Sequence, residues 1–281
     1  KALSIRREVG DRSGEGVTLN NIGGVYSDLG QNEKALEYYE KALSISKEVG
    51  DHSREGTILN NIGFLYSNLG QNEKTLEYYE KALFIRREID DRFGEGVTLN
   101  NIGNIYSILG YKKKALEYYE QALFISREIA DHNSEATILN NIGYIFLNQG
   151  QNQKAFEYYE QALFIKKEIG DRLSEGTILG NIGRVYSNLG KKQKALQYYE
   201  QALFIAREIN NPYSESTTLG NIASVYFYLG QKQKALEYYE EVLSITREIG
   251  DRLAESHVLN SIGGIYSELN QKNKALEYFE N

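Results

Sequence analysis

Apolar residues fall at helical spacing in two successive stretches, and the pair of stretches then repeats. Leu19, Ile22, Tyr26 and Leu29 share one helical face, followed by Ala35, Leu36, Tyr38, Tyr39, Ala42, Leu43, Ile45 and Val49 on a second. Leu19-Asn20-Asn21-Ile22 returns as Leu59-Asn60-Asn61-Ile62, and matching stretches begin at Leu99, Leu139, Leu179, Leu219 and Leu259, each 40 residues after the last. A fixed period of this length predicts stacked supersecondary units, each too small to bury its own apolar face. The expected fold is all-α, an α-solenoid of antiparallel helix pairs. One array fills 1–281: a partial second helix over 1–10, repeats at 11–50, 51–90, 91–130, 131–170, 171–210 and 211–250, and a last repeat over 251–281 with a shortened second helix.

Punctuation agrees with this phasing. Asp11 is a suitable N-cap for the first helix of a pair, helix A, and Glu15 lies in its first turn, where the helix dipole favours a carboxylate. Gly30 supplies the left-handed residue that ends helix A, and Asn270 stands at that place in the seventh copy. The only proline, Pro212, follows Asn211 at the first helical position, where a missing N–H costs nothing. Helix B runs from about Glu33 to Val49. Gly23, Gly63, Gly103, Gly143, Gly183, Ala223 and Gly263 hold one place in helix A. A mid-helix glycine costs about 0.5–1 kcal/mol, so this row implies close contact with the partner helix.

These residues carry a family likeness. Leu19, Ile22-Gly23, Tyr26, Ala35, Tyr39 and Ala42 resemble the tetratricopeptide signature, with Leu19 where Trp is common and without the usual helix-ending Pro. The 40-residue form is similar to the repeats of kinesin light chain, Pins-type adaptors, bacterial peptide-pheromone receptors and bacterial signalling proteins. The likeness implies a right-handed α-solenoid, a superhelix whose A helices line an inner groove that binds proteins or peptides.

On a helical wheel Val17, Asn20, Asn21, Gly24 and Asp28 lie opposite the packed face of helix A, and the likeness puts them in the groove. Asn21, Asn61, Asn101, Asn141, Asn181 and Asn221 form one row, ending at Ser261; Asn20, Asn60, Asn100, Asn140 and Asn260 form another, interrupted by Gly180 and Gly220. Asparagine is a poor helix former, so a row of it needs a reason. Each carboxamide offers donors and an acceptor that match an extended peptide backbone, and the likeness implies such a ladder. The alternatives are bonds to neighbouring helices, or plain solvation. Groove positions that vary between copies are the candidates for specificity: Phe64, Asn104, Tyr144 and Arg184 at the place of Gly24, Ile108 and Tyr228 at the place of Asp28, and His257 at the place of Val17. The charged remainder of helix B, including Lys34, Glu37, Glu40, Lys41, Ser44 and Glu48, is expected to face outward.

Composition narrows the function. A formal charge of -7 argues against a nucleic-acid backbone as ligand. With no cysteine there is no thiol nucleophile, thiolate metal site or disulfide, which fits a reducing compartment, and a cytoplasmic location is expected. No apolar run reaches the roughly 18–20 residues of a membrane span, and no membrane partner is expected. His52 and His132 sit at exposed helix starts, and no metal-ligand spacing, phosphate loop or nucleophile elbow occurs. The chain is therefore expected to be a non-enzymatic protein- or peptide-binding scaffold without cofactor or metal. Two other readings stay open: the sensor arm of a larger enzyme, caspase-like or kinase, and a self-associating spacer. The chain begins at Lys1 inside a repeat and reads as a piece of a longer protein. Its half-helices, with Ala2, Leu3 and Ile5 at one end and Ala275, Leu276, Tyr278 and Phe279 at the other, are expected to stack head to tail.

Overall fold

The structure is a computed structural model that describes residues 1–280. Among the described residues it is all-helical, with A and B helices alternating along the chain. The chain forms two compact units, Lys1–Asn141 and Ile142 onward, that divide within one A helix. The first unit contains α1 (Ala2–Glu8), α2 (Arg12–Asp28), α3 (Asn32–Glu48), α4 (His52–Asn68), α5 (Asn72–Glu88), α6 (Arg92–Ile108), α7 (Lys112–Glu128) and the start of α8 (His132–Asn148). The second contains the rest of α8 and α9 (Asn152–Glu168), α10 (Arg172–Asn188), α11 (Lys192–Glu208), α12 (Pro212–Tyr228), α13 (Lys232–Ile249), α14 (Arg252–Glu268) and α15 (Lys272–Glu280). Within the units consecutive helices pack on one another, from α1 on α2 to α6 on α7 and from α9 on α10 to α14 on α15, and A helices also touch the next A helix: α2 with α4, α4 with α6, α10 with α12. Successive A helices thus approach one another more closely than successive B helices do.

Caps fix the A helices. The side chains of Asp11, Asp51, Asp91, Asp131, Asp171, Asn211 and Asp251 each accept from the backbone N–H three residues on. Pro212 occupies the first turn of α12, as expected. Gly30 and Asn270 both end their helices with positive φ, 69° and 58°. Between helices B and A, Ala130 has φ 55°, a conformation that an alanine adopts only under strain.

The small-residue row has the cause its position implies. A Cβ on Gly23, Gly63, Gly103 or Gly183 would lie 2.6–2.7 Å from ring atoms of Tyr39, Tyr79, Tyr119 or Tyr199 on the paired helix B. These tyrosines are buried core. Their sequence neighbours are half-buried and stack on the tyrosine near the end of helix A, with Tyr26–Tyr38 ring centroids 5.3 Å apart.

Candidate peptide-binding face of the A helices

The two asparagine rows meet side chain to side chain. Asn61 Nδ2 donates to Asn20 Oδ1 at 3.1 Å, Asn101 to Asn60 at 3.2 Å and Asn141 to Asn100 at 3.1 Å. The second asparagine of each A helix thus bonds the first asparagine of the preceding one. The rows therefore do not hang free over a groove: in the first unit they bond to neighbouring helices, one of the alternatives the sequence leaves open. The donor amides of Asn61 and Asn101 keep a second N–H and their oxygen beyond this bond, whereas Asn141 donates a second time, to Asn104, and keeps its oxygen. The amides are half-buried, except Asn21, which is exposed.

Asn104 joins the same network. It accepts from Asn141 Nδ2 at 3.2 Å and from the Tyr119 hydroxyl at 2.6 Å. Phe64 and Ile108 are exposed apolar side chains on this face.

In the second unit the network changes. Gly180 replaces the first asparagine, and Asn221 has no hydrogen-bond partner among the described residues. Nothing lies within 4 Å of a Cβ built on Gly180. A cavity of about 430 Å³ opens there, lined among others by Gly176, Gly180, Asn181, Arg184, Tyr213 and Asn221. Arg184 stacks over the Tyr144 ring, 5.5 Å from its centroid, and donates to Asn148 Oδ1 at 3.0 Å. It is held in place by its neighbours and not merely solvated. Tyr228 is exposed, with Lys192 Nζ 5.0 Å from its centroid. His257 is exposed beside Tyr278 and Phe279 in a cavity of about 340 Å³. Asn181 and Asn140 each have a partner, and Asn260 is exposed.

One feature was read too simply from sequence. Glu15 does more than face a helix dipole: it is buried, and its carboxylate takes Arg7 Nε at 2.7 Å and Arg12 Nη1 at 2.7 Å, while Arg12 also reaches Glu48. Glu95 has the same arrangement with Arg87 and Arg92, and Glu255 with Arg247 and Arg252. The clue was the spacing of arginines eight residues and three residues before each of these glutamates. The hydrogen bond from Arg7, aided by Arg12, holds the Glu15 carboxyl below the usual range despite burial.

Paired helices of 17 residues, alternating without strands and bearing a face of carboxamides on the A helices, define a helical-repeat binding scaffold. A sequence model of the tetratricopeptide repeat matches residues 1–48, 54–128, 134–208 and 214–280, and the chain belongs to this family. No curated protein matches the sequence. Among solved structures, it is similar to BtubC (BKLC) from P. vanneervenii, at 24% identity over 78% of this chain and 92% of that one, TM-score 0.69. A signal transduction ATPase with numerous domains and a tetratricopeptide repeat sensor, from Pyrococcus horikoshii, aligns at 20% identity and TM-score 0.79; it covers 99% of this chain, which spans 43% of that protein. A Rap protein complexed with competence and sporulation factor aligns at 15% identity over 93% of this chain and 76% of that one, TM-score 0.64. These likenesses show the fold. The tetratricopeptide fold is in general a non-catalytic binding scaffold. No described helix is long and apolar enough to cross a membrane, and no described group of His, Asp or Glu is arranged to hold a metal.

Proposed function

We propose that the chain holds an extended peptide segment on the A-helix face, with the asparagine rows bonding its main chain. The observation that carries this reading is the Asn–Asn pairing. Because one N–H of Asn61 and of Asn101 is spent on the preceding helix, the remaining N–H and oxygen of each amide are held in a fixed, repeated orientation, while Asn141, whose amide N–H groups serve both Asn100 and Asn104, offers its oxygen. Prior fixing of donors and acceptors reduces the entropy lost when a peptide binds. Phe64, Ile108, Tyr144 and Tyr228 supply exposed apolar groups beside the rows, and Arg184 with Asn104 and His257 differ between copies, so they set which side chains fit. A Rap protein of similar fold is complexed with competence and sporulation factor, which supports ligand binding by a fold of this kind.

The test is selection of a random peptide library on the chain, with N101A/N141A/N181A as comparison. The expected result is peptides that bind the chain and lose it on the triple variant while the helical dichroism is unchanged. Peptides that bind both proteins equally would overturn the ladder.

A second reading has one observation behind it. The whole chain aligns with part of an ATPase that carries a tetratricopeptide repeat sensor, so the same face would serve as the sensing arm of a larger enzyme. A catalytic domain encoded in the same reading frame is the expected finding. Head-to-tail stacking through exposed Ile5, Leu276 and Phe279 is the third; sedimentation that depends on concentration, and is lost with I5S/L276S, tests it.

A further inference from the structure

The B helices carry a feature that the reading of the A-helix face leaves unused. Phe84, Phe124, Phe164 and Phe204 hold one place on successive B helices, where Ser44 and Ser244 stand in other repeats. Their exposures are 65%, 68%, 67% and 67%. Scattered surface apolars need no explanation, but four phenylalanines at one repeat position do. One helical turn before each lies a glutamate: Glu80, Glu120, Glu160 and Glu200. All are exposed, and none makes a hydrogen bond or ion pair with any described residue.

Each unit has clefts beside these pairs. In the first unit, a cavity of about 860 Å³ adjoins Phe84 and Glu80 over Leu59 and Ile85, and one of about 690 Å³ adjoins Phe124 and Glu120 over Leu99 and Ile125. In the second, a cavity of about 570 Å³ adjoins Phe204 and Glu200 over Leu179 and Ile205. The cations at the walls are already committed. Arg92 serves Glu95 and Glu128, Arg172 serves Glu175 and Glu208, Lys81 serves Glu77 and Lys47 serves Glu55. The charge left over in each cleft is therefore negative.

We propose that this outer face is a second binding surface, which takes an arginine-rich segment of a partner protein, one guanidinium per cleft. The chemistry selects arginine. The leucine and isoleucine floor takes the aliphatic stem, the phenylalanine ring takes the flat face of the guanidinium, and the unpaired carboxylate takes its N–H fork. An ammonium is a compact, strongly hydrated charge and uses the ring and the apolar floor less well. An anionic partner such as nucleic acid is repelled. Within the first unit the clefts at Phe84 and Phe124 repeat on successive B helices, which makes that face multivalent for a chain carrying several arginines.

The experiment uses fluorescently labelled octa-arginine and octa-lysine, titrated into the 281-residue chain and followed by anisotropy. The variants are F84S/F124S/F164S/F204S, which places the serine of the other repeats at each position, and E80Q/E120Q/E160Q/E200Q. Octa-arginine should bind several-fold more tightly than octa-lysine, and each variant should lose at least about tenfold in octa-arginine affinity with unchanged helical dichroism. The serine variant isolates the rings, because it leaves the net charge unchanged. N101A/N141A/N181A should bind octa-arginine like the parent, which separates this surface from the A-helix face. Equal binding of the two peptides, or full octa-arginine binding by the serine variant, would reduce the effect to general acidity and overturn the proposal. So would a parent chain that dimerises through this face while the serine variant stays monomeric, since a second copy would then be the occupant.

Discussion

The A-helix faces of the two units differ by one kind of atom group. In the first unit every donor among Asn61, Asn101 and Asn141 finds the carboxamide of Asn20, Asn60 or Asn100. In the second, Gly180 and Gly220 remove that carboxamide, Asn221 stands alone, and a cavity of about 430 Å³ opens. The helix pairs beneath are alike in both: Gly103 lies under the Tyr119 ring, and Gly183 lies under the Tyr199 ring. Packing of A on B therefore holds the repeat, and the amide rows are laid over it. The face can change from row to pocket without disturbing the core.

The largest expected effect tests that division. Gly103→Val in the first unit and Gly183→Val in the second should each cost about 1–3 kcal/mol, because the new side chain meets a tyrosine ring in a close-packed core. The two losses should match, since a Cβ would sit 2.7 Å and 2.6 Å from the respective rings. Chemical denaturation of both variants measures this. If the second-unit variant proved much milder, the cores would differ and not only the faces.

Exchanging the face residues comes next. Asn100→Gly should destabilise by about 1–2 kcal/mol, from the lost hydrogen bond to Asn141 and the lower helix propensity of glycine. Gly180→Asn is the reverse change in open space, and should stabilise by about 0.5–1.5 kcal/mol if Asn221 takes up the new carboxamide. It should also close the cavity. A stability gain with peptide selection unchanged would assign the cavity no part in ligand choice.

This contrast was only half legible in the sequence. Helix positions, caps and the glycine row could be read because each depends on contacts within one repeat, at spacings a helical wheel or a paired helix reproduces. The pairing of Asn61 with Asn20 joins residues 41 apart, and it depends on how one repeat seats on the next, which periodicity does not specify. Its trace was there in Gly180 and Gly220, which interrupt one row and spare the other. Arg184 was assigned no neighbours for the same reason: Tyr144 and Asn148 belong to the preceding A helix. The outward place of Ser44 was legible, but the coincidence of Phe84 with an unpaired Glu80 required knowing which carboxylates the arginines already occupy.

Acid should act on both units alike. At Asp171, burial alone would raise the carboxyl pKa, but Lys166 and the bonds from Ser174 outweigh it and carry it down to about 2. Glu15 in the first unit and Glu255 in the second are lowered chiefly by Arg7 and Arg247. A lowered folded-state pKa gives stability that is present above the unfolded value of about 4 and is lost as pH falls through the folded value. The midpoint of thermal unfolding should therefore drop between about pH 4 and pH 2. Asp171→Asn keeps a good N-cap but has no charge to lose, so its stability should fall less over that window and converge with that of the parent near pH 2. Parallel curves for variant and parent would show that the Asp171 ion pair adds nothing.

The smallest effect distinguishes the units through a single hydroxyl. Tyr119 in the first unit donates to Asn104 at 2.6 Å. In the next repeat Tyr144 stands at the place of Asn104, and the buried Tyr159 hydroxyl, in the second unit, has no hydrogen-bond partner among the described residues. Burial raises the pKa of both phenols, so both are neutral hydroxyls at ordinary pH, and one has acceptors that the other lacks. Deleting a satisfied hydroxyl costs about 0.5–1.5 kcal/mol, whereas deleting a buried orphan costs nothing or is a gain. Tyr119→Phe should therefore destabilise by about 1 kcal/mol and leave Asn104 to Asn141 alone, while Tyr159→Phe should be neutral or slightly stabilising. Phe279 already occupies the corresponding place against Gly263, so a ring without the hydroxyl packs there. Paired denaturation curves decide it: an equal loss in both variants would mean that Tyr159 has found a partner, and that the replacement of Asn104 by Tyr144 costs the fold nothing.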